Sequence, residues 1–248
     1  MIAVDNVSKT YAGHVALHRT TFSFRRGATT VLIGPSGCGK STLLRLMMGL
    51  LEPDSGRVVI DGQILGADNR YQLRHSMGYV VQDGGLFPHL TAEQNITLLA
   101  RYLKRPNAAI EHRVDELAEL VKLDRMLLKR YPVNLSGGQR QRAGLMRALM
   151  LDPPLLFLDE PLGALDPITR FELQRELKEV FSALAKTVVL VTHDMSEAAY
   201  FGEHILLLRA GSVVQHGSLH QLLNQPAEPY VSNFIRAQRP PPALEQAW

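Results

Sequence analysis

Cysteine is almost missing from this chain. Its 248 residues hold one, Cys38, so no internal disulfide can form and nothing points to an oxidising compartment. Long apolar runs are missing too. The longest, Leu43–Leu51, is interrupted by Arg45 and falls well short of the roughly 20 residues that a membrane span needs. Any membrane role must therefore come through a partner. No block of lysine or arginine stands out. The formal net charge of +3 and pI of about 9.1 permit contact with an anionic surface without demanding it. There is no internal repeat, no zinc-ligand spacing and no Ser/His/Asp pattern. The first strand begins at Ile2, so no signal peptide is expected. With 46% hydrophobic and 21% charged residues, the composition is that of a globular protein large enough for one α/β domain with subdomains.

What the chain does have is organised around Gly34-Pro35-Ser36-Gly37-Cys38-Gly39-Lys40-Ser41-Thr42. A short apolar strand, Val31-Leu32-Ile33, enters it, and an apolar helix expected over Leu43–Leu50 leaves it. This is the G-x-x-x-x-G-K-[ST] phosphate loop, known as Walker A, in its strand–loop–helix setting. Glycines let the backbone curl so that several N–H groups face one anion, and the helix start adds its dipole. Lys40 is expected to reach the β- and γ-phosphates of a nucleoside triphosphate, and the Ser41 hydroxyl to ligate Mg²⁺. A Gly-rich turn with an accidental lysine would not carry both flanks. Cys38 occupies a variable position of the loop as a small filler, although a helix start favours thiolate and leaves it open to modification.

The remaining segments can be read in order. Ile2–Val7 and Thr21–Phe24 alternate apolar and polar residues, as strands of an antiparallel sheet do. Tyr11, upstream of the loop, is a candidate to stack on a base. Val58-Val59-Ile60 runs into Asp61-Gly62, a hairpin turn. Gly78–Val81 reads as a buried strand ending at Gln82, an amide placed where parallel sheets bind ligands. The next loop exposes Leu86 and Phe87, which hints at a docking surface. Thr91–Leu151 is mostly helical in pattern: Thr91 and Gln94 match a capping box, and Ile110, Val114, Leu117 and Val121 share a face. Within it, Ser136-Gly137-Gly138-Gln139 is a second candidate anion site at a helix start. One phosphate loop already accounts for one triphosphate, so a monomer leaves this second site unexplained.

Leu155–Leu158 is an apolar strand ending in Asp159-Glu160. An acid at such a tip matches the Mg²⁺-associated aspartate of phosphate-loop NTPases, and the next residue sits where a general base for water is needed. Asp166-Pro167 opens a helix with Leu177, Val180, Phe181 and Leu184 on one face. Thr187–Thr192 is another buried strand, and it carries His193 to the same sheet edge, within reach of a γ-phosphate. A hairpin over Ile205–Leu208 and Val213–Gln215 follows, then short helices near His220–Leu223 and Tyr230–Ile235. Arg239-Pro240-Pro241-Pro242 is expected to be disordered.

Taken together, residues 2–235 resemble the nucleotide-binding subunit of an ATP-binding cassette (ABC) transporter, and Leu135–Gln139 is the stretch most specific to that family. The resemblance implies an α/β fold: a RecA-like P-loop NTPase core with an antiparallel β subdomain. A helical subdomain at about residues 88–153 would be inserted in a domain of residues 1–235, followed by a short tail, 236–248. It implies that Tyr11 stacks on adenine, that Gly34–Thr42 wraps the phosphates and that Gln82 touches Mg²⁺ and the attacking water. Asp159 would hold Mg²⁺ through water, Glu160 polarise the water, and His193 contact the γ-phosphate. Ser136 and Gly138 would bind the γ-phosphate held by a second cassette, with Gly137 and Gln139 beside them and Asp166 at the dimer interface. The implied partners are a transmembrane permease, a second, identical cassette and, indirectly, a solute-binding protein. No nucleic acid is implied, and the implied location is the cytoplasmic face of the plasma or inner membrane.

Met77–Thr91 and Phe234–Arg239 look most like importers of osmoprotectants such as glycine betaine or choline, although cassettes for amino acids or ions share much of this pattern. The chain ends at Trp248, so no appended regulatory domain is expected. A soluble ABC ATPase would carry a long coiled-coil insertion or two cassettes in one chain. A clamp that binds ATP without turnover would not need Glu160. A small GTPase would carry an Asn-Lys-x-Asp motif.

Overall fold

The computed structural model describes residues 1–163 and 165–238. The chain opens with β1 (Ile2–Tyr11) and β2 (His14–Ser23), passes through β3 (Thr29–Ile33) into α1 (Lys40–Met47), and returns as β4 (Ser55–Ile60) and β5 (Gln63–Ile64). Four of these strands form an antiparallel sheet in the order β2-β1-β4-β5. Ile2, Val4, Val7, Leu17, Val58 and Ile60 pack into one core with Leu43, Leu44 and Met47 of α1. At the β4–β5 turn both Asp61 (φ 47°) and Gly62 (φ 83°) are left-handed, which suits the twist of a two-residue hairpin. β1 and β2 are longer than their alternation implies. Register shifts between Val4 and Val7 and between Val7 and Lys9 break the period of two, so the pattern fades while the pairing continues. Helix α1 also starts earlier than the apolar run. Lys40–Thr42 supply its first turn, and Gly49 (φ 63°) follows its end.

The second sheet is built from β3 and the later strands. After α2 (Arg70–Arg74) and β6 (Met77–Val80), the chain makes α3 (Ala92–Tyr102), α4 (Asn107–Leu120) and α5 (Gly137–Leu149). It continues as β7 (Leu155–Asp159), α6 (Pro167–Leu184), β8 (Thr187–Thr192), α7 (Met195–Phe201), β9 (His204–Arg209) and β10 (Ser212–Gly217), and closes with α8 (Leu219–Asn224) and α9 (Pro229–Ala237). The strand order is β10-β9-β3-β8-β7-β6. Only the β9–β10 pair is antiparallel. Every residue of β3, β7 and β8 is buried, as expected for parallel strands covered on both faces. Ile96, Ile110, Val114, Leu117 and Leu149 of α3–α5 share a core with Leu156 and Leu158 of β7, so the helical stretch is docked on the sheet. Arg236 and Ala237 form the end of α9. The expected disorder of Arg239–Pro242 lies outside the described residues.

Candidate nucleotide-binding site

The loop after β3 has its shape because two glycines leave no room for a side chain. A Cβ on Gly34 (φ 153°) would lie 2.2 Å from the Leu208 carbonyl oxygen, and one on Gly39 (φ 104°) would lie 2.5 Å from that of Ala16. Backbone from β9 and β2 therefore presses the loop into a tight ring. Lys40 is 5% exposed, and its ammonium donates to the carbonyls of Gly34 (2.8 Å) and Pro35 (3.0 Å). A buried ammonium needs such partners, and an incoming phosphate can replace them. No side chain caps the start of α1, so its first N–H groups are free for an anion. Cys38 is buried, and burial raises its thiol pKa despite the neighbouring Lys40. Cys38 is thus placed as the small filler expected at that position, with burial working against the pull of the helix start towards thiolate.

The tips of β3, β8, β7 and β6 line up along one edge of the sheet. There the Ser41 hydroxyl donates to Asp159 Oδ1 at 3.1 Å. The Tyr79 hydroxyl stands 3.5 Å from Asp159 Oδ2, its pKa raised by burial and then by that carboxylate, so it remains a donor. Glu160 has φ 47°, an unfavourable value for a residue with a Cβ, and its N–H donates to the Val191 carbonyl at 2.9 Å. Glu160 Oε2 lies 3.3 Å from His193 Nδ1.

Gln82 is exposed and begins a short 3-10 turn, Gln82–Gly85, in which Asp83 (φ 58°) and Gly84 (φ 76°) are left-handed. This turn is anchored by residues that the sequence reading did not pick out. Arg147 of α5 donates to the carbonyls of Gly85 (2.8 Å) and Gly84 (3.0 Å). Asn95 of α3, fully buried, accepts from the Phe87 N–H at 2.7 Å and donates to the Phe87 carbonyl at 3.1 Å. A signal for Asn95 was present: it interrupts the apolar stripe of Ala92, Ile96 and Ala100, where a polar side chain must have buried partners.

The other candidates lie apart from this cluster. Tyr11 ends β1 and is 42% exposed, next to a hairpin whose Ala16 carbonyl packs on Gly39. Ser136 caps α5 in a capping box with Gln139. Gly137 and Gly138 face the start of α6, where a Cβ would lie 3.0 Å from Leu165 and 2.7 Å from Thr169 respectively. Asp166 caps α6 by accepting from the N–H groups of Thr169 (3.1 Å) and Ile168 (3.2 Å). Hydrogen bonds from Thr169, and then Ile168, hold its carboxyl below the usual range.

The Ser41 hydroxyl and the Asp159 carboxylate offer two hard oxygen donors beside the loop. That set fits Mg²⁺, which keeps several waters and binds through few protein oxygens together with substrate phosphates.

A profile described as "ABC transporter" matches residues 17–163, a stretch that begins in β2 and contains the phosphate loop, Gln82, the Ser136 capping box and Asp159-Glu160. The chain belongs to the ABC transporter family. This ABC cassette is 45% identical over 240 residues to the choline transport ATP-binding protein of Bacillus subtilis (strain 168), covering 96% of the chain and 63% of that relative. It is 44% identical over 235 residues to the glycine betaine uptake system ATP-binding protein of Escherichia coli (strain K12), covering 95% of the chain and 76% of the relative. The chain thus spans less than two thirds of the length of the first of these. Its fold matches a dimeric ATP-binding cassette solved in a post-hydrolysis state with ADP and Pi. That match has a TM-score of 0.80 at 34% identity and covers 88% of this chain and 99% of that one. The expected α/β P-loop core with an antiparallel sheet is borne out.

Proposed function

We propose that this cassette binds and hydrolyses ATP and, with a membrane permease, powers import of a small solute of the quaternary-amine class. The observation that carries this reading is the strand-tip cluster, in which Ser41 meets Asp159 and Glu160 meets His193 beside a phosphate loop. ATP enters with its phosphates inside the Gly34–Thr42 ring. Lys40 exchanges the Gly34 and Pro35 carbonyls for β- and γ-phosphate oxygens, and Tyr11 stacks on adenine. Ser41, Asp159 and Gln82 would hold Mg²⁺, which supplies positive charge to the phosphate oxygens when bound. Glu160 accepts the proton of the water whose oxygen attacks the γ-phosphorus while the bond to the β–γ bridging oxygen breaks. His193 orients Glu160 and donates to the γ-phosphate.

Ser136 and Gly138 bind the γ-phosphate of a second, identical cassette with Gly137 and Gln139 beside them, and Asp166 borders that interface. ATP then joins two chains head to tail, and hydrolysis releases them.

Among the described residues no helix is long and apolar enough to cross a membrane. One feature supports a permease partner. An apolar groove of about 500 Å³ opens between β6 and helices α3 and α5, lined by Met77, Tyr79, Leu98, Leu99 and Tyr102, with the exposed Phe87 on the anchored loop that leads to Gln82. A permease helix seated there would move Gln82. The chain would then work on the cytoplasmic face of the membrane, with a solute-binding protein on the far side. The quaternary-amine class rests on the relatives named for choline and glycine betaine, because no residue of a cassette touches the solute. The test is capture of partners from gently solubilised native membranes by ATP-loaded Glu160→Gln chain. A multi-span permease together with a solute-binding protein is the expected result, and soluble partners alone would overturn it.

A further inference from the structure

The segment that carries His193 is held from the inside by a carboxylate. Thr192, the last residue of β8, is 2% exposed, and Glu197, in the first turn of α7, is 4% exposed. The Thr192 hydroxyl donates to Glu197 Oε2 at 2.6 Å and accepts from the Asp194 N–H at 3.0 Å. One hydroxyl therefore ties together the end of the strand, the backbone just after His193 and the helix beyond it. Asp194 caps that helix, accepting from the N–H groups of Ser196 (2.7 Å) and Glu197 (3.4 Å). The Met195 N–H donates to Gln238 Oε1 at 2.7 Å, which closes the segment from outside. His193 is the residue between the two backbone points that the Thr192 hydroxyl joins, and its ring is left free to face Glu160.

A buried carboxylate is an expensive way to fill space. Desolvation pushes the Glu197 carboxyl up from its ordinary value, and the Thr192 hydrogen bond only partly offsets it. A leucine or methionine would pack α7 on the sheet without that cost. What an apolar side chain cannot do is hold the Thr192 hydroxyl in the orientation that leaves its lone pair on the Asp194 N–H.

We propose that Glu197, acting through the Thr192 hydroxyl, is a positioning residue that fixes His193 against Glu160. This rests on the roles of His193 and Glu160 given above. Glu197 is buried and reaches the site only through the Thr192 hydroxyl. It sets the backbone of a three-residue turn, and a displacement of the ring by about 1 Å is enough to lower turnover by roughly a hundredfold.

The experiment is steady-state ATP hydrolysis by the full chain carrying Glu197→Ala, Glu197→Gln or Thr192→Val, with single-turnover rates for each change also measured on a His193→Ala background. Glu197→Ala and Thr192→Val are expected to lower kcat roughly ten- to hundredfold with KM for ATP unchanged within about twofold. Glu197→Gln keeps an oxygen to accept from Thr192 and restores most of the rate. On the His193→Ala background, Glu197→Ala has no further effect, because the group it positions is gone. An equal loss on both backgrounds, or a rise in KM that accounts for the whole defect, would overturn the positioning role. Thr192→Val is nearly isosteric and decides the matter if Glu197→Ala does not fold. A wild-type kcat for His193→Ala alone would instead overturn the role of His193 itself, an outcome distinct from additivity.

Discussion

Ser41 and Asp159, 118 positions apart in sequence, meet through a 3.1 Å hydrogen bond from hydroxyl to carboxylate. The contact joins the first turn of the helix after the phosphate loop to the tip of the neighbouring apolar strand but one. If these two oxygens are the Mg²⁺ site, Ser41→Ala and Asp159→Asn should each demand more Mg²⁺ for half-maximal ATP hydrolysis, by roughly ten- to hundredfold. Both variants should keep the thermal stability of the parent within a few degrees: Ser41→Ala loses one part-buried hydrogen bond, which contributes only about 1 kcal/mol, and Asp159→Asn keeps an oxygen that can accept it. Mg²⁺ titrations that superimpose on those of the parent would move the metal elsewhere.

Glu160 is both the candidate base and a residue with left-handed backbone, φ 47°, and the two roles separate by mutation. Glu160→Gln should bind ATP, hydrolyse it about a hundred- to ten-thousandfold more slowly, and remain dimeric in ATP by size-exclusion chromatography. Glu160→Gly also removes the base, yet relieves the backbone, and should unfold about 1 kcal/mol less readily than Glu160→Ala. Hydrolysis by Glu160→Gln at the parent rate would show that the base is another group.

These two sites were legible in the sequence because each is a local event. A glycine-rich stretch between an apolar strand and a helix, or two acids ending an apolar run, needs nothing distant to be recognised. The helix starts at Thr91 and Ser136 were legible for the same reason, and each carries a capping box. What pairs with what was not. Nothing in the local pattern says that β3 lies between β8 and β9, or that Arg147 reaches back across 62 positions to Gly85. The full length of β1 was hidden as well, because its bulges take the side chains out of alternation. Tyr79 read as strand filling, since only the tertiary fold brings its hydroxyl to Asp159.

Cys38 offers a probe that needs no substitution. Its sulfur lies 3.8 Å from the Lys40 ammonium, yet burial wins and raises the thiol pKa. Maleimide labelling of the folded chain should therefore be slow near neutral pH, and should accelerate as the pH is raised towards the shifted value. MgATP should slow it further by occupying the ring around Lys40. Equal rates with and without nucleotide would separate Cys38 from the ligand. Fast labelling at neutral pH, matching that of the unfolded chain, would mean that the loop opens more readily than its buried lysine implies.

His204 and His216 form a pair on the β9–β10 hairpin, Nε2 to Nδ1 3.3 Å, with the Phe22 ring of β2 against both imidazoles. Burial, then His216, then Arg25 lower the His204 pKa, so the folded chain favours its neutral form more than the unfolded chain does. The unfolded state therefore binds the proton more readily, and stability rises with pH across that interval. The contribution is present above the unfolded value of about 6.5 and is lost as the pH falls through the lower folded value. The thermal midpoint should accordingly drop between about pH 8 and pH 5. His204→Gln removes the titrating ring and should flatten that slope, while leaving ATP hydrolysis at pH 8 unchanged, because the hairpin pair is not part of the strand-tip cluster. If the parent and the variant lose stability equally on acidification, the pH dependence belongs to other groups, and the pair only packs β10 against Phe22.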